Sequence, residues 1–156
     1  LARETNIEIH ERILIDGVDA TEDIRSADAN QMVSVVAANT QVRQVLVPRQ
    51  REWATSLGGG VMEGRDIGTE VFPDALLKVF LTADLSIRAE RRFNESSEQT
   101  LESVLEDLKR RDQIDSTRQD SPLLVAPGAI IFDSSVLSIE DVVSDLATIF
   151  RGLVAG

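Results

Sequence analysis

An arginine and an aspartate stand side by side in Glu63-Gly64-Arg65-Asp66-Ile67-Gly68-Thr69, a glycine-flanked segment that follows the apolar pair Val61-Met62. A guanidinium presents a planar fork of donors that fits the paired oxygens of a phosphate. A carboxylate accepts from amino groups such as those on a nucleobase edge. Together they suit a nucleoside monophosphate; a structural Arg–Asp pair pinning a loop is the alternative. A second constellation is Leu101, Val104, Leu108, Arg111, Asp115 and Arg118, spaced 3, 4, 3, 4 and 3 along the chain. This is one helical stripe, apolar in its first half and charged in its second. Buried charges are costly unless paired, so the stripe is expected to leave the core and enter a polar cleft. The alternative is a helix that ends near Asp112, with the later charges solvated. Third, Arg88, Arg91 and Arg92 share one side of a helix by their i, i+3 and i+4 spacing. Three like charges repel unless an anion or acids sit among them; Glu90 and Glu95 could serve, or the face is simply solvated. Last, Ser34 and Arg43 lie nine residues apart. They would not share a face of one continuous helix and could converge only if the chain breaks at Asn39-Thr40.

These side chains need elements to hold them. Asn6 to Val18 reads as two short strands, with Ile7 and Ile9 alternating, a turn at Glu11-Arg12, then Ile13-Leu14-Ile15 up to Asp16-Gly17. His10, the only histidine, falls in that alternating run and is expected on a solvent face. Ser26 to Ala38 reads as a helix, and Thr40 can cap the next one. That next helix, Gln41 to Leu57, contains Pro48, which should kink or split it before Gly58-Gly59-Gly60 ends it. Val61-Met62, Leu76 to Leu81 and Ala129 to Asp133 read as buried strands, nearly all apolar, as expected when both sheet faces are covered. Ser86–Phe93 and Thr100 to about Asp115 read as helices, separated by a polar, mobile Asn94–Gln99. The last helix starts at Ser138, with an acid at its third position, and should turn Val142, Leu146, Ile149 and Leu153 inward. Strands alternating with helices imply a three-layer α/β/α parallel sheet with right-handed crossovers. Ligands of such sheets bind beyond the carboxyl ends of the strands, and Arg65 and Asp66 are expected at such an end.

The 156 residues suffice for one domain with a core. A net charge of −11 argues against general affinity for nucleic acid polymers or anionic membranes. The absence of cysteine excludes disulfides and thiolate metal sites. No apolar run approaches the roughly 18 residues of a membrane helix, and Leu1-Ala2-Arg3-Glu4-Thr5 has no targeting character. A cytoplasmic compartment is expected. Only Lys78 and Lys109 are lysines among the 16 basic residues, and neither follows a glycine run. The chain therefore carries no GxxxxGK[ST] phosphate-cradling loop.

In order along the chain, Arg49-Gln50-Arg51, Glu63 to Thr69 and Val71-Phe72-Pro73-Asp74-Ala75 resemble bacterial cytidylate kinases, which are P-loop nucleoside monophosphate kinases. The resemblance continues through Lys78 to Ala83, Arg88-Ala89-Glu90-Arg91-Arg92 and Arg111-Asp112 with Asp115 and Arg118. Pro122-Leu123, Phe132-Asp133-Ser134 and Leu137-Ser138-Ile139-Glu140 complete it. The resemblance implies transfer of the γ-phosphoryl group of ATP, with Mg2+, to CMP or dCMP. It makes Ser34, Arg43 and Asp66 readers of the cytosine, and Arg65 and Arg118 holders of the acceptor phosphate. Asp115 would accept from the sugar hydroxyls beside Arg111. Arg88 and Arg92, with Arg91, would open a lid at about residues 88–111 that closes over ATP. Residues 1–40 would be part of the substrate-binding subdomain, and 41–156 the core.

Two family features are missing from these residues: the phosphate loop, and a following element whose tyrosine contacts the acceptor; the chain has no tyrosine. The expectation is therefore a chain that begins inside a longer gene product. The family's first strand would lie between the Val61-Met62 strand and the Leu76–Leu81 strand. Its slot would need a further segment or another chain to pair with the exposed edges. A non-catalytic nucleotide-binding or assembly fragment is the alternative function.

Overall fold

The computed structural model describes residues 3–95 and 99–156, without the side chains of Ala27, Asn30, Gln31 and Ser34. Contacts divide the chain into two units, Leu1–Val61 with Arg118–Ser121, and Met62–Thr117 with Pro122–Gly156.

The first unit opens with an antiparallel sheet of three strands, β1 (Ile7–Ile9), β2 (Ile13–Ile15) and β3 (Val18–Asp19). Two strands were expected; the third follows because Asp16-Gly17 does not stop the sheet but turns it. Asp16 and Gly17 both have positive φ, 51° and 80°. That is the two-residue hairpin turn whose twist matches its strands, and it pairs Ile15 with Val18. His10 lies in the turn after β1 and is exposed. Helix α1 (Ala27–Ala37) and helix α2 (Thr40–Ser56) follow. The break between them occurs where expected, but Asn39 is the cap, its side chain accepting from the amides of Gln41 and Val42. Pro48 does not split α2. Proline removes one amide donor, and the helix continues on the bonds either side of it. The helix ends as expected, with Gly58 at φ 72° and amide bonds from Gly58 to Thr55 O and from Gly59 to Ala54 O. This is the paired C-terminal cap that favours a left-handed glycine.

In the second unit, β4 (Val79–Thr82) and β5 (Ile130–Asp133) pair in parallel, from Val79 opposite Ile130 to Thr82 opposite Asp133. Val61-Met62 is not a strand, and Val61 is fully exposed. An extended pair of residues becomes a strand only through a ladder partner, and none stands beside it among the described residues. The slot expected between two strands is therefore not formed. Nor are both faces of this sheet covered: Leu81 is 56% and Ile131 64% exposed. Helix α3 (Leu85–Glu95) packs on helix α4 (Leu101–Thr117), with Ala89 and Val104 buried. Asn94 and Glu95 belong to the last turn of α3, not to a polar linker; Ser96, Ser97 and Glu98 lie outside the described residues. Helix α5 (Ile139–Val154) has the expected capping box between Ser138 and Asp141. On its expected inner face Val142, Leu146 and Ile149 are half-buried, while Leu153 is exposed.

Candidate functional site: an arginine–aspartate cluster

Arg65 and Asp66 enter a single wide turn, Ile67–Val71, closed by amide bonds from Glu70 to Asp66 O at 2.9 Å and from Phe72 to Ile67 O at 2.7 Å. Such π-type turns are uncommon and occur often at functional sites. Its glycines serve space, not dihedral freedom, since neither Gly64 nor Gly68 has positive φ. A Cβ on Gly64 would stand 2.6 Å from Ile67 Cγ1, and one on Gly68 would stand 3.1 Å from Ala126 Cβ. The buried Val71 anchors the far side of the turn.

Helix α4 extends to Thr117, so the charged half of the stripe is helical, and its Asp115 is buried at 2% exposure. Val104 and Asp115 are both buried along this one stripe, an apolar residue and a carboxylate. The carboxylate is kept company by arginines. Arg65 Nε lies 3.3 Å from Asp115 Oδ2, and Arg111 Nε lies 3.9 Å from the same oxygen. Arg65 Nη1 also donates to Asp112 Oδ1 at 3.2 Å, and Arg88 Nη1 donates to Asp112 Oδ2 at 2.7 Å. Arg88 Nε is tied to Ala83 O at 3.0 Å, just past β4. Three guanidiniums thus gather on two carboxylates, and guanidinium donors are ones that phosphate oxygens can also share.

Arg91 has a different task. Its Nη1 donates to Ser134 Oγ at 3.1 Å, and its Nη2 to Ser134 O at 2.6 Å and Leu137 O at 3.3 Å. Ser134 is itself buried and donates to Thr82 O through both its amide and its hydroxyl. Arg88 and Arg91 therefore both end at the carboxyl termini of the parallel strands, where α/β sheets place ligands. Beside them, Asp133 accepts from the Ser135 hydroxyl at 2.6 Å and the Ser135 amide at 2.8 Å. These two bonds, the hydroxyl first, hold the Asp133 carboxyl below its ordinary range. Arg92 is exposed in the last turn of α3.

The remaining sequence candidates belong to the first unit. Ser34 falls within α1, and its side chain lies outside the described residues. Arg43 sits in the first turns of α2 and donates from Nη1 to Ala37 O at 3.4 Å, at the end of α1. Arg118 follows the end of α4, and its Nε donates to Ser121 O.

A family model described as cytidylate kinase matches residues 1–152. The chain belongs to the cytidylate kinase family. It is 46% identical over 148 residues to a curated cytidylate kinase of Caldanaerobacter subterraneus subsp. tengcongensis, covering 92% of this chain and 66% of that protein. It is 46% identical over 143 residues to that of Pediococcus pentosaceus, covering 89% and 63%. With that of Desulfitobacterium hafniense it shares 43% over 159 residues, covering 97% and 68%. The chain thus spans about two thirds of the length of the curated relatives it matches.

Membership of the cytidylate kinase family implies an α/β fold of the P-loop NTPase kind, and a parallel strand pair with helices agrees with it. Sequence reasoning missed Asp112 as a site residue. The signal was present: Asp112 is i+4 from Leu108 and i−3 from Asp115, a second branch of the same stripe. Among the described residues, no group of three or more His, Cys, Asp or Glu side chains stands where it could hold a metal ion. No helix among them is long and apolar enough to cross a membrane.

Proposed function

We propose that this protein transfers the γ-phosphoryl group of MgATP to CMP or dCMP in the cytoplasm. The observation that carries the reading is the cluster in which Arg65, Arg88 and Arg111 share Asp112 and Asp115 beside the ends of β4 and β5. Phosphoryl transfer asks a protein mainly for positioning and for stabilisation of charge on the phosphoryl oxygens, and arginines supply both. Arg65, with Arg118, holds the acceptor phosphate. Asp66, Ser34 and Arg43 read the base, Asp66 accepting from the exocyclic amine that uracil lacks. Asp115, with Arg111, accepts from the sugar hydroxyls.

Arg88 stabilises the transferred group, and Arg92 joins it when residues 88–111 close as a lid that excludes water. Arg91 contributes by fixing α3 to the loop after β5, since its donors are directed at backbone and hydroxyl oxygens there. Residues 1–40 form part of the substrate-binding subdomain and 41–156 the core, in a three-layer sheet.

The test is nucleotide titration with coupled measurement of turnover. The protein made from its own gene should bind CMP more tightly than UMP and convert it to CDP when MgATP is added. CMP binding without turnover would favour a nucleotide-binding role alone; no binding of either nucleotide would end the proposal. With Asp66→Asn, the preference for CMP over UMP should fall by roughly 10-fold or more. An unchanged preference would remove Asp66 from the base site.

A further inference from the structure

Asp112 is held by neither the apolar core nor its own helix. One of its oxygens receives Nη1 of Arg65 from the loop before Ile67, and the other receives Nη1 of Arg88 from α3. Each of those guanidiniums has a second anchor on Nε: Asp115 at 3.3 Å for Arg65, and Ala83 O at 3.0 Å for Arg88. Both arginines thus donate from Nη1 to Asp112 and face a second oxygen at Nε, Arg88 through a hydrogen bond and Arg65 through an ion pair. A guanidinium held at two of its three nitrogens cannot rotate about its Nε–Cζ bond without breaking a bond, and its third nitrogen keeps a set direction. Neither Nη2 has a partner among the described residues.

A single carboxylate also neutralises part of the repulsion between two cations that it brings near one another. Without it, Arg65 and Arg88 lose their common partner.

We infer that Asp112 is a positioning residue for phosphoryl transfer: it sets the guanidiniums of Arg65 and Arg88 in one fixed arrangement with their Nη2 groups left for phosphate oxygens. The inference rests on the function proposed above, because it assigns Arg65 to the acceptor phosphate and Arg88 to the group in transfer. Asp112 touches neither phosphate; it acts through the two arginines. Its loss should therefore depress turnover more than acceptor affinity, because Arg65 keeps Asp115 while Arg88 keeps only a carbonyl. Misplacing one charge-stabilising group by about 1 Å costs up to roughly 100-fold in rate.

The experiment compares Asp112→Asn and Asp112→Glu with Asp107→Asn. Asp107 is an exposed aspartate of the same helix that pairs only locally, with Arg110 at 2.8 Å. Asp112→Asn should lower kcat for CMP by roughly 10- to 100-fold with KM changed less than about 3-fold, and Asp112→Glu should recover part of it. Asp107→Asn should lower kcat far less than Asp112→Asn does. Combining Asp112→Asn with Arg88→Lys should cost little beyond Arg88→Lys alone, since one defect already includes the other.

A second readout needs no nucleotide. In NMR spectra of the free protein, Nη1 and Nη2 protons of Arg65 and Arg88 should be distinct, and Asp112→Asn should average them for Arg88. If wild type shows no CMP turnover, the proposed function falls and takes the catalytic part of this inference with it; the spectra still decide whether Asp112 holds the arginines. If wild type turns over and Asp112→Asn keeps its kcat, or if kcat and KM worsen together alongside a loss of folded signal, Asp112 is merely structural and the inference is overturned.

Discussion

The chain makes arginine–aspartate pairs in two settings. In the small antiparallel sheet, Arg12 Nη1 meets Asp19 Oδ2 at 3.4 Å, with the side chains 76% and 44% exposed. In the second unit, Arg65 meets Asp115 at 3.3 Å with exposures of 34% and 3%. The distances are nearly equal, so distance does not separate a surface pair from a working one. Two other properties do. The second carboxylate is removed from water, where its attraction for a guanidinium is far less screened. And it is shared: Asp115 serves Arg65 and Arg111, and Asp112 serves Arg65 and Arg88, so no member can move alone.

The largest effect should come from breaking the buried carboxylate. Asp115→Ala leaves Arg65 and Arg111 without their common partner, and removing one side of a buried pair costs about 3–5 kcal/mol. Both arginines are about a third exposed, so water recovers part of that, and the lower end is expected. Urea unfolding should show a lower midpoint with an unchanged slope. A loss no greater than that of an exposed aspartate such as Asp107 would erase the contrast.

Arg65→Lys should come next. A lysine keeps the charge but cannot span Asp112 and Asp115 with Nη1 and Nε, as Arg65 does. Steady-state kinetics should show kcat/KM for CMP reduced by roughly 10- to 100-fold with little change in stability. If lysine serves as well as arginine, the shared geometry is incidental and only the charge matters.

A smaller effect tests whether Arg91 belongs with the cluster or with the scaffold. Ser134→Ala removes one acceptor of Arg91 and one donor to Thr82 O, and leaves the two backbone acceptors in place. A net hydrogen bond contributes about 1 kcal/mol, so thermal unfolding should shift modestly while KM for CMP stays the same. A changed KM would move Arg91 into the substrate site.

Much of this contrast could be read from the sequence, for reasons that differ by residue. The stripe from Val104 to Asp115 is periodic, and periodicity survives translation into structure because a helix is local. The Ser138–Asp141 cap was legible for the same reason: its partners are three residues apart. Asp16-Gly17 was misread because the same dipeptide can end a strand or turn a hairpin, and only the pairing of Ile15 with Val18 decides. Val61-Met62 was misread because a strand depends on a neighbour, which is not a local property. Arg91 was grouped with Arg88 and Arg92, but its contacts could not be read: its acceptors include carbonyls 43 and 46 residues away, and a carbonyl leaves no mark in the sequence. Asp112 was within reach, since two branches of one stripe pass through it, but only its contacts with Arg65 and Arg88 distinguish it from a solvated acid.

The smallest expected effect lies at the other end of the comparison. Asp19 titrates below the ordinary carboxyl range, and the main cause is the Thr21 hydroxyl, followed by the Thr21 amide; Arg12 contributes least. Thr21 Oγ1 donates to Asp19 Oδ1 at 2.7 Å and accepts from the Ile13 amide at 3.0 Å, so it ties β2 to the segment after β3. A carboxyl whose folded pKa is depressed stabilises the fold above its unfolded pKa, and that contribution is lost as pH falls through the folded value. Thr21→Val should therefore raise the titration midpoint of Asp19, followed by NMR, and remove part of the acid dependence of stability in that window. Arg12→Ala should move the midpoint only slightly and leave turnover of CMP untouched. If instead Arg12→Ala moves Asp19 more than Thr21→Val does, an exposed arginine can govern an aspartate without burial or sharing. The distinction between the two regions would then rest on location alone.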